Sequence, residues 1–445
     1  MKFPVPKLLT LLCLLLALVS CRSEKSTLMQ VGTGWAQNSV NTTIFRKNSV
    51  VSDQNRQYAA YYDESGHVVI AHRNLDSEDW TAERTQLTGN MKDAHNSICI
   101  AVDGDGFLHI AWDHHNTSLH YAKSTKPGSL EFAEIPSMIG SEEHSVTYPE
   151  FYSIAGGDLI FLYRDGGSGR GNLVMNRYHT ASKTWSRVQT KLIDGENKRN
   201  SYWQAYVDPN SESIYLSWTW RETWDVSTNH DICFAKSSDG GKSWVRSDGT
   251  PYVLPITAAT AEYAALIPQN SELINQTSMC SDSDGNPYIA SYWTPAGSKV
   301  PQFHLVHYDG YAWHNSQITK RETPFSLSGT GTKKIPISRP QILADSTGDT
   351  TKAYLIFRDI ERDNRPSMAY CDDISSPEWK FKDLAEIDTD QWEPSYDLPL
   401  WSREKKLALF IQRTAQGDGY ASEGQEKTVE LPPQPVYVLQ WQDSR

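Results

Sequence analysis

Five residues stand out for the chemistry their types could do together: His95, His115, Tyr148, Arg164 and Arg221. Imidazole is partly neutral near physiological pH and can take up or release a proton. A tyrosine hydroxyl can donate to a departing oxygen, or act as a base where a nearby arginine lowers its pKa. Guanidinium groups hold carboxylates in a two-pronged fork. Such a set suits an anionic ligand whose charge is met by fixed cations. Tyr202 and Arg339 are further candidate ligand contacts, with His114 and Arg358 as weaker ones.

A repeat must bring these residues together, because they are spread over most of the chain. Each unit is a strand, a turn rich in Asp and Gly, and a second strand with a polar or basic end. Seven such hairpins align: 58–73, 97–112, 150–164, 204–218, 279–293, 340–358 and 395–413. Period-two alternation and β-branched or aromatic enrichment mark strands, and no window keeps a helical apolar stripe. A period near 50 residues predicts an all-β, seven-bladed β-propeller. In such a ring, residues just before each inner strand and just after each second strand share one mouth. The beginnings supply Asn48, His95, Tyr148, Tyr202, Thr277 and Arg339; the ends supply Arg73, His114, His115, Arg164, Arg221, Trp293, Arg358 and Arg413. Arg73 and Arg413 are read as ordinary surface residues. The terminal strand Val436–Trp441 is expected to complete the first blade.

The segment Ser237–Trp244 fits the S-x-D-x-G-x-x-W box of sialidase-like propellers. Its expected role is structural, a hairpin held by Asp and Gly with the Trp packed between sheets.

The front of the chain points outward from the cell. Lys2 and Lys7 precede an apolar run, Leu8–Val19, too short to span a bilayer comfortably. Leu18-Val19-Ser20-Cys21 resembles a bacterial lipobox, so Cys21 is expected to be lipidated; a plain secretory signal is the alternative. The expected organisation is a signal peptide over 1–20, a lipidated cysteine and tether over 21–40, and one propeller over 41–445. The expected location is the bacterial envelope, anchored in the outer membrane on its periplasmic or cell-surface side. A net charge of -12 argues against nucleic-acid or anionic-membrane partners. Cys99, Cys233, Cys280 and Cys371 lie in strand-like segments without paired spacing and read as buried free thiols. Fifteen Trp and 22 Tyr, many for this length, suit sugar handling in an exported β protein.

Asp93-Ala-His95-Asn96, Trp112-Asp-His-His115-Asn, Tyr148-Pro-Glu, Tyr163-Arg164-Asp-Gly and Trp218-Thr-Trp-Arg221 resemble the BNR-4 group of propellers over essentially the whole mature chain. The most specific features are the twenty-residue His95–His115 and sixteen-residue Tyr148–Arg164 spacings. That group includes ulvan lyases, L-rhamnose-α-1,4-D-glucuronate lyases and related α-L-rhamnosidases of arabinogalactan. The resemblance implies a polysaccharide lyase that cleaves by β-elimination at glucuronate, on rhamnose-glucuronate linkages of arabinogalactan. It assigns His95 and His115 to the base and carboxylate-side positions, in an order the sequence leaves open, and Tyr148 to the acid. Arg164 and Arg221 would neutralise the uronate carboxylate. No cofactor is required; a structural calcium or zinc is allowed for, although no ligand motif asks for one. The expected partner is an anionic plant or algal glycan, met by a monomer. Three other readings differ in substrate or class: an ulvan lyase, an α-L-rhamnosidase using the opposite face, and a non-catalytic glycan-binding lipoprotein. The hydrolase reading is weakened because its essential histidine has no secure position here.

Overall fold

The computed structural model describes residues 26–43, 47–167, 170–422 and 425–443. The signal segment and Cys21 lie outside the described residues. Seven antiparallel sheets form the blades of a β-propeller. The second blade runs outward from Cys99–Val102 and Leu108–Ala111, and the third from Val146–Ser153 and Leu159–Asp165. The fourth begins with Asn200–Val207 and Ile214–Arg221, the fifth with Ser278–Ser281 and Pro287–Trp293, the sixth with Gln341–Asp345 and Lys352–Phe357.

The Asp-rich turns explain why these hairpins form where they do. Asp103 Oδ1 accepts from the backbone N–H of Asp105 and Phe107 at 3.0 and 2.9 Å, and Asp282 Oδ1 from those of Asp284 and Asn286 at 3.0 and 2.8 Å. Asp208 and Asp345 accept one such bond each. One carboxylate thus satisfies the donors a tight turn would orphan. Gly106 and Gly285 follow with φ of 84° and 81°, a region in which other residues are strained. The Asp box behaves likewise. Asp239 accepts from the backbone of Lys242 and Ser243, and Trp244 is buried in the core shared by the third and fourth blades.

Three features depart from expectation. A short strand, Val50–Asp53, lies inside the first hairpin, so Arg56–Tyr62 is the second strand of its blade and His67–Asn74 the third. Arg73 therefore ends its strand at the opposite end of the blade from the candidate mouth, and it bonds to Gln57, Ser77 and Gln440. In the seventh unit, residues 395–398 do not form a full strand. Tyr396 makes one bridge to Leu409, and a helix then runs over Leu398–Glu404. The Asp397 carboxylate caps that helix at Leu400 N and also accepts from Gln57 and Ser52, joining the last blade to the first. Burial pushes its pKa up to about 6.

Ring closure is the third departure. The terminal strand Gln434–Gln442 does not enter the first blade. It pairs with Lys406–Gln412 on one side and with Thr27–Gly34 on the other. The segment expected to be tether up to residue 40 thus supplies the outer strand of the seventh blade. Its pattern, with Met29, Val31 and Gly34 buried and Leu28 and Gln30 exposed, is the alternation of a half-buried edge strand. All four of Cys99, Cys233, Cys280 and Cys371 are buried and unpaired with one another, as expected.

Candidate active site

At one mouth of the ring a cavity of about 300 Å³ opens, and His95, His115, Tyr148, Arg164, Tyr202 and Arg221 line one wall of it. Residues separated by up to 126 positions meet there because each sits at the start of an inner strand or the end of a second strand. Below, the channel narrows to a space of about 30 Å³ beside Lys47, Tyr152, Gln341 and Tyr396, room for about one water.

The two histidines form a pair around one carboxylate. Asp93 Oδ1 lies 2.8 Å from His95 Nδ1, and Asp93 Oδ2 lies 2.6 Å from His115 Nδ1. The imidazole rings stack with centroids 4.0 Å apart and planes 17° from parallel. Local chain geometry builds this: the backbone N–H of His95 donates to Asp93 Oδ1, so the loop folds around its own acid. His115 enters from a three-residue strand, His115–Thr117, that pairs with Val146 and Thr147 beside Tyr148. Burial alone would raise the Asp93 carboxyl. The charge of His95 and the hydrogen bonds from both rings overcome this and hold it far below the usual carboxylate range. Burial, then the charge of His95, lower the His115 pKa against the pull of Asp93.

Tyr148 stands at a bulge. The pairing of its strand with Leu159–Asp165 slips between Thr147 and Glu150, and Tyr148 takes a φ of 55° directly before Pro149. An aromatic residue there is strained, and a residue preceding proline prefers extended backbone, so surrounding structure must hold it. The Tyr148 ring lies 6.0 Å from that of His95, and the Arg164 guanidinium lies 4.9 Å from the Tyr148 centroid. Arg164 Nε donates to the Gly166 carbonyl at 3.0 Å. Arg221 repeats the arrangement in the next blade. It lies over Tyr202 at 4.4 Å, donates to the Tyr202 hydroxyl at 3.2 Å, and is fixed by Asn229 and Asn275 at 2.8 and 2.6 Å. The hydrogen bonds that orient both guanidiniums end on neutral oxygens, which leaves their charge for a ligand.

The remaining candidates divide. Arg339 lines the pocket, but its guanidinium donates to Glu393 at 2.7 Å and to the Asn275 carbonyl at 3.0 Å. His114 is absent from the wall. It is wholly buried, with Nε2 3.2 Å from the His120 carbonyl, and burial, then the charge of His120, push its pKa down to about 3. Arg358 is wholly buried too. It donates to the carbonyls of Trp392, Pro336 and Ile335 and to Asn364 Oδ1 at 2.9–3.1 Å. Neither is a ligand contact; both hold loops beneath the rim.

The opposite wall comes from residues that the repeat did not single out. Trp224, 67% exposed, stands on the rim over an apolar patch of Val226, Ile274, Leu327 and Ile335. Its loop is pinned to a neighbouring one by Gly329 N donating to Asp225 Oδ1 at 3.0 Å. Lys333 also lines the pocket and is bridged to Asp418 at 3.0 Å. Asp93 is the chief omission, and its position two residues before His95 was the available signal. Asp93, His95 and His115 bring donor atoms within 4.8 Å of one another, as a metal set would. Yet both Nδ1 atoms and both carboxylate oxygens already bond to one another, so an ion there would have to break those bonds.

No curated protein sequence matches the chain. Solved structures share its fold. The polysaccharide lyase Uly1 superposes with a TM-score of 0.66 at 13% identity, covering 94% of this chain and 99% of its own. A PL25 ulvan lyase gives 0.67 at 15% identity, over 87% of this chain and 93% of its own. Another PL25 ulvan lyase structure, bound to -[GlcA(1-4)Rha3S]-, gives 0.65 at 15% identity, over 86% and 91%. The family described as "BNR repeat-containing family member" matches residues 56–321, more than half of the chain, and the protein belongs to that family.

Proposed function

We propose that this protein is a polysaccharide lyase that cleaves by β-elimination at glucuronate, on L-rhamnose-α-1,4-D-glucuronate linkages such as those of arabinogalactan. The observation that carries the reading is the pair Arg164 and Arg221, both oriented by neutral groups, beside a histidine pair and Tyr148 on the wall of one pit. The two guanidiniums take the uronate carboxylate, which makes the C5 proton acidic enough to leave. A neutral imidazole of the pair accepts that proton. The C5–H electrons form the C4–C5 double bond, and the C4–O4 bond breaks. Tyr148 then protonates the departing oxygen, and rhamnose leaves an unsaturated uronate behind. In glucuronate H5 and O4 lie on one side of the ring, which suits a base and an acid on one wall.

The charge balance of the mouth supports an unsulfated substrate over ulvan. Arg339 is matched by Glu393 and Lys333 by Asp418, which, among the described residues lining the pit, leaves Arg164 and Arg221 for one carboxylate. The similarly folded ulvan lyase described with -[GlcA(1-4)Rha3S]- lends weight to a uronate beside a deoxyhexose. We place the enzyme in the bacterial envelope, tethered through Cys21.

Incubation with gum arabic or a rhamnosyl-glucuronide tests this by two readouts, free rhamnose and the ultraviolet absorbance of an unsaturated uronate. Both should rise together. Rhamnose without absorbance would establish hydrolysis instead, and neither product would leave a binding protein. Ulvan cleaved as fast as the unsulfated glycan would overturn the substrate assignment.

A further inference from the structure

We propose that Asp93 is a positioning residue that fixes the tautomer of both pocket histidines at once, so that His95 and His115 each meet the substrate through Nε2. The inference rests on the elimination reading for its catalytic meaning, but not for its structural content.

The argument begins with hydrogen-bond inventory. An ionised carboxylate only accepts; it has no proton to give. Each oxygen of Asp93 lies within hydrogen-bond distance of a different imidazole Nδ1, at 2.8 and 2.6 Å. Both Nδ1 atoms must then carry hydrogen, and a neutral ring so fixed keeps its lone pair on Nε2. The carboxyl stays ionised because the two rings hold its pKa far down despite its burial. Any proton taken from a ligand by either ring is therefore taken at Nε2.

The stack adds a second constraint. With centroids 4.0 Å apart, two imidazolium rings would repel strongly, whereas one imidazolium beside one neutral ring is balanced by the single negative charge of Asp93. The trio thus disfavours two charged rings and keeps a neutral ring, with its lone pair on Nε2, to accept a proton. Second-sphere carboxylates orient imidazoles in the same way in metal sites and catalytic triads, one ring each. Here one carboxylate serves two.

Asn in place of Asp93 distinguishes tautomer control from mere support. The amide is nearly isosteric, but it presents one oxygen and one NH2 group. One Nδ1 keeps its acceptor; the other must accept from the amide and move its hydrogen to Nε2. A buttress would be replaced better by Asn than by Ala, whereas a tautomer setter is replaced worse by Asn. In uniformly 15N-labelled protein at neutral to mildly alkaline pH, the wild-type rings of His95 and His115 should both carry hydrogen on Nδ1. In Asp93→Asn one of them should switch to Nε2–H. Elimination by Asp93→Asn should fall by about 10⁴-fold, as when a triad aspartate becomes asparagine, and further than in Asp93→Ala. Two rings that keep Nδ1–H in Asp93→Asn would overturn the proposal. So would an Asn variant more active than the Ala variant at matched thermal stability. The tautomer measurement needs no substrate, so it decides the matter even if wild-type protein eliminates nothing.

Discussion

The Arg164 guanidinium sits 4.9 Å from the centre of the Tyr148 ring, over a tyrosine held at a φ of 55° by the bulge before Pro149. A cation in that place holds the ring against rotation. Backbone strain of this kind persists only where the surroundings over-determine it, and it clusters at working sites.

Removing the hydroxyl in Tyr148→Phe should leave the ring and its stacking in place but take away the proton donor. The expected loss is about 10²- to 10⁴-fold in kcat with little change in KM. Arg164→Lys keeps the charge but loses the planar fork, so it should raise KM and lower kcat together. Undiminished turnover in Tyr148→Phe would remove Tyr148 from the chemistry.

The pH profile follows from His115. Its lone pair is available only in the neutral ring, so activity is lost as pH falls through its pKa. Burial, then the charge of His95, lower that pKa below the ordinary 6.5 against the opposing pull of Asp93. The acid limb of kcat/KM should therefore lie below 6.5, with activity retained in mildly acid solution. An acid limb at or above that value would mean that another group gates the reaction.

Arg358→Met tests the assignment of Arg358 to structure. Four oxygens on Trp392, Pro336, Ile335 and Asn364 would lose their donor inside the protein. The expected loss is on the order of 3 kcal/mol, read from chemical denaturation. KM of the folded fraction should hold. A raised KM at unchanged stability would return Arg358 to the list of ligand contacts.

What the sequence made legible was whatever depends on short-range physics. The turn aspartates bond two and four residues ahead, so the hairpins of Asp103 and Asp282 announce themselves. The inner-strand rule then gathered His95, His115, Tyr148, Arg164, Tyr202 and Arg221 correctly at one pit. It failed where neighbouring side chains part company. His114 and His115 sit between Asp113 and Asn116, whose φ values of 62° and 61° twist the chain so that one ring faces the pit and the other is buried. Arg358 was misjudged because partners such as the Trp392 and Ile335 carbonyls come from remote segments, whereas Arg339 does line the pit, paired there with Glu393. Arg73, set aside as a surface residue, lies away from the mouth and buried because an extra inner strand shifted the first hairpin by one place. Asp93 lay within the quoted motif, but its double bond exists only once His115 arrives from the next blade.

The shared last blade has a bearing on how the molecule is made. Thr27 faces Gln440 across the sheet, and Gly34 faces Gln434, so the two ends of the chain meet only after roughly 400 intervening residues have been brought round. The strand Thr27–Gly34 is made long before the other members of its sheet, Lys406–Gln412 and Gln434–Gln442. The nascent first strand waits without its partner while six blades stack, with its unpaired edge open to rival strands. Topology of this kind favours slow completion, with Gln434–Gln442 acting as the latch between its two neighbours.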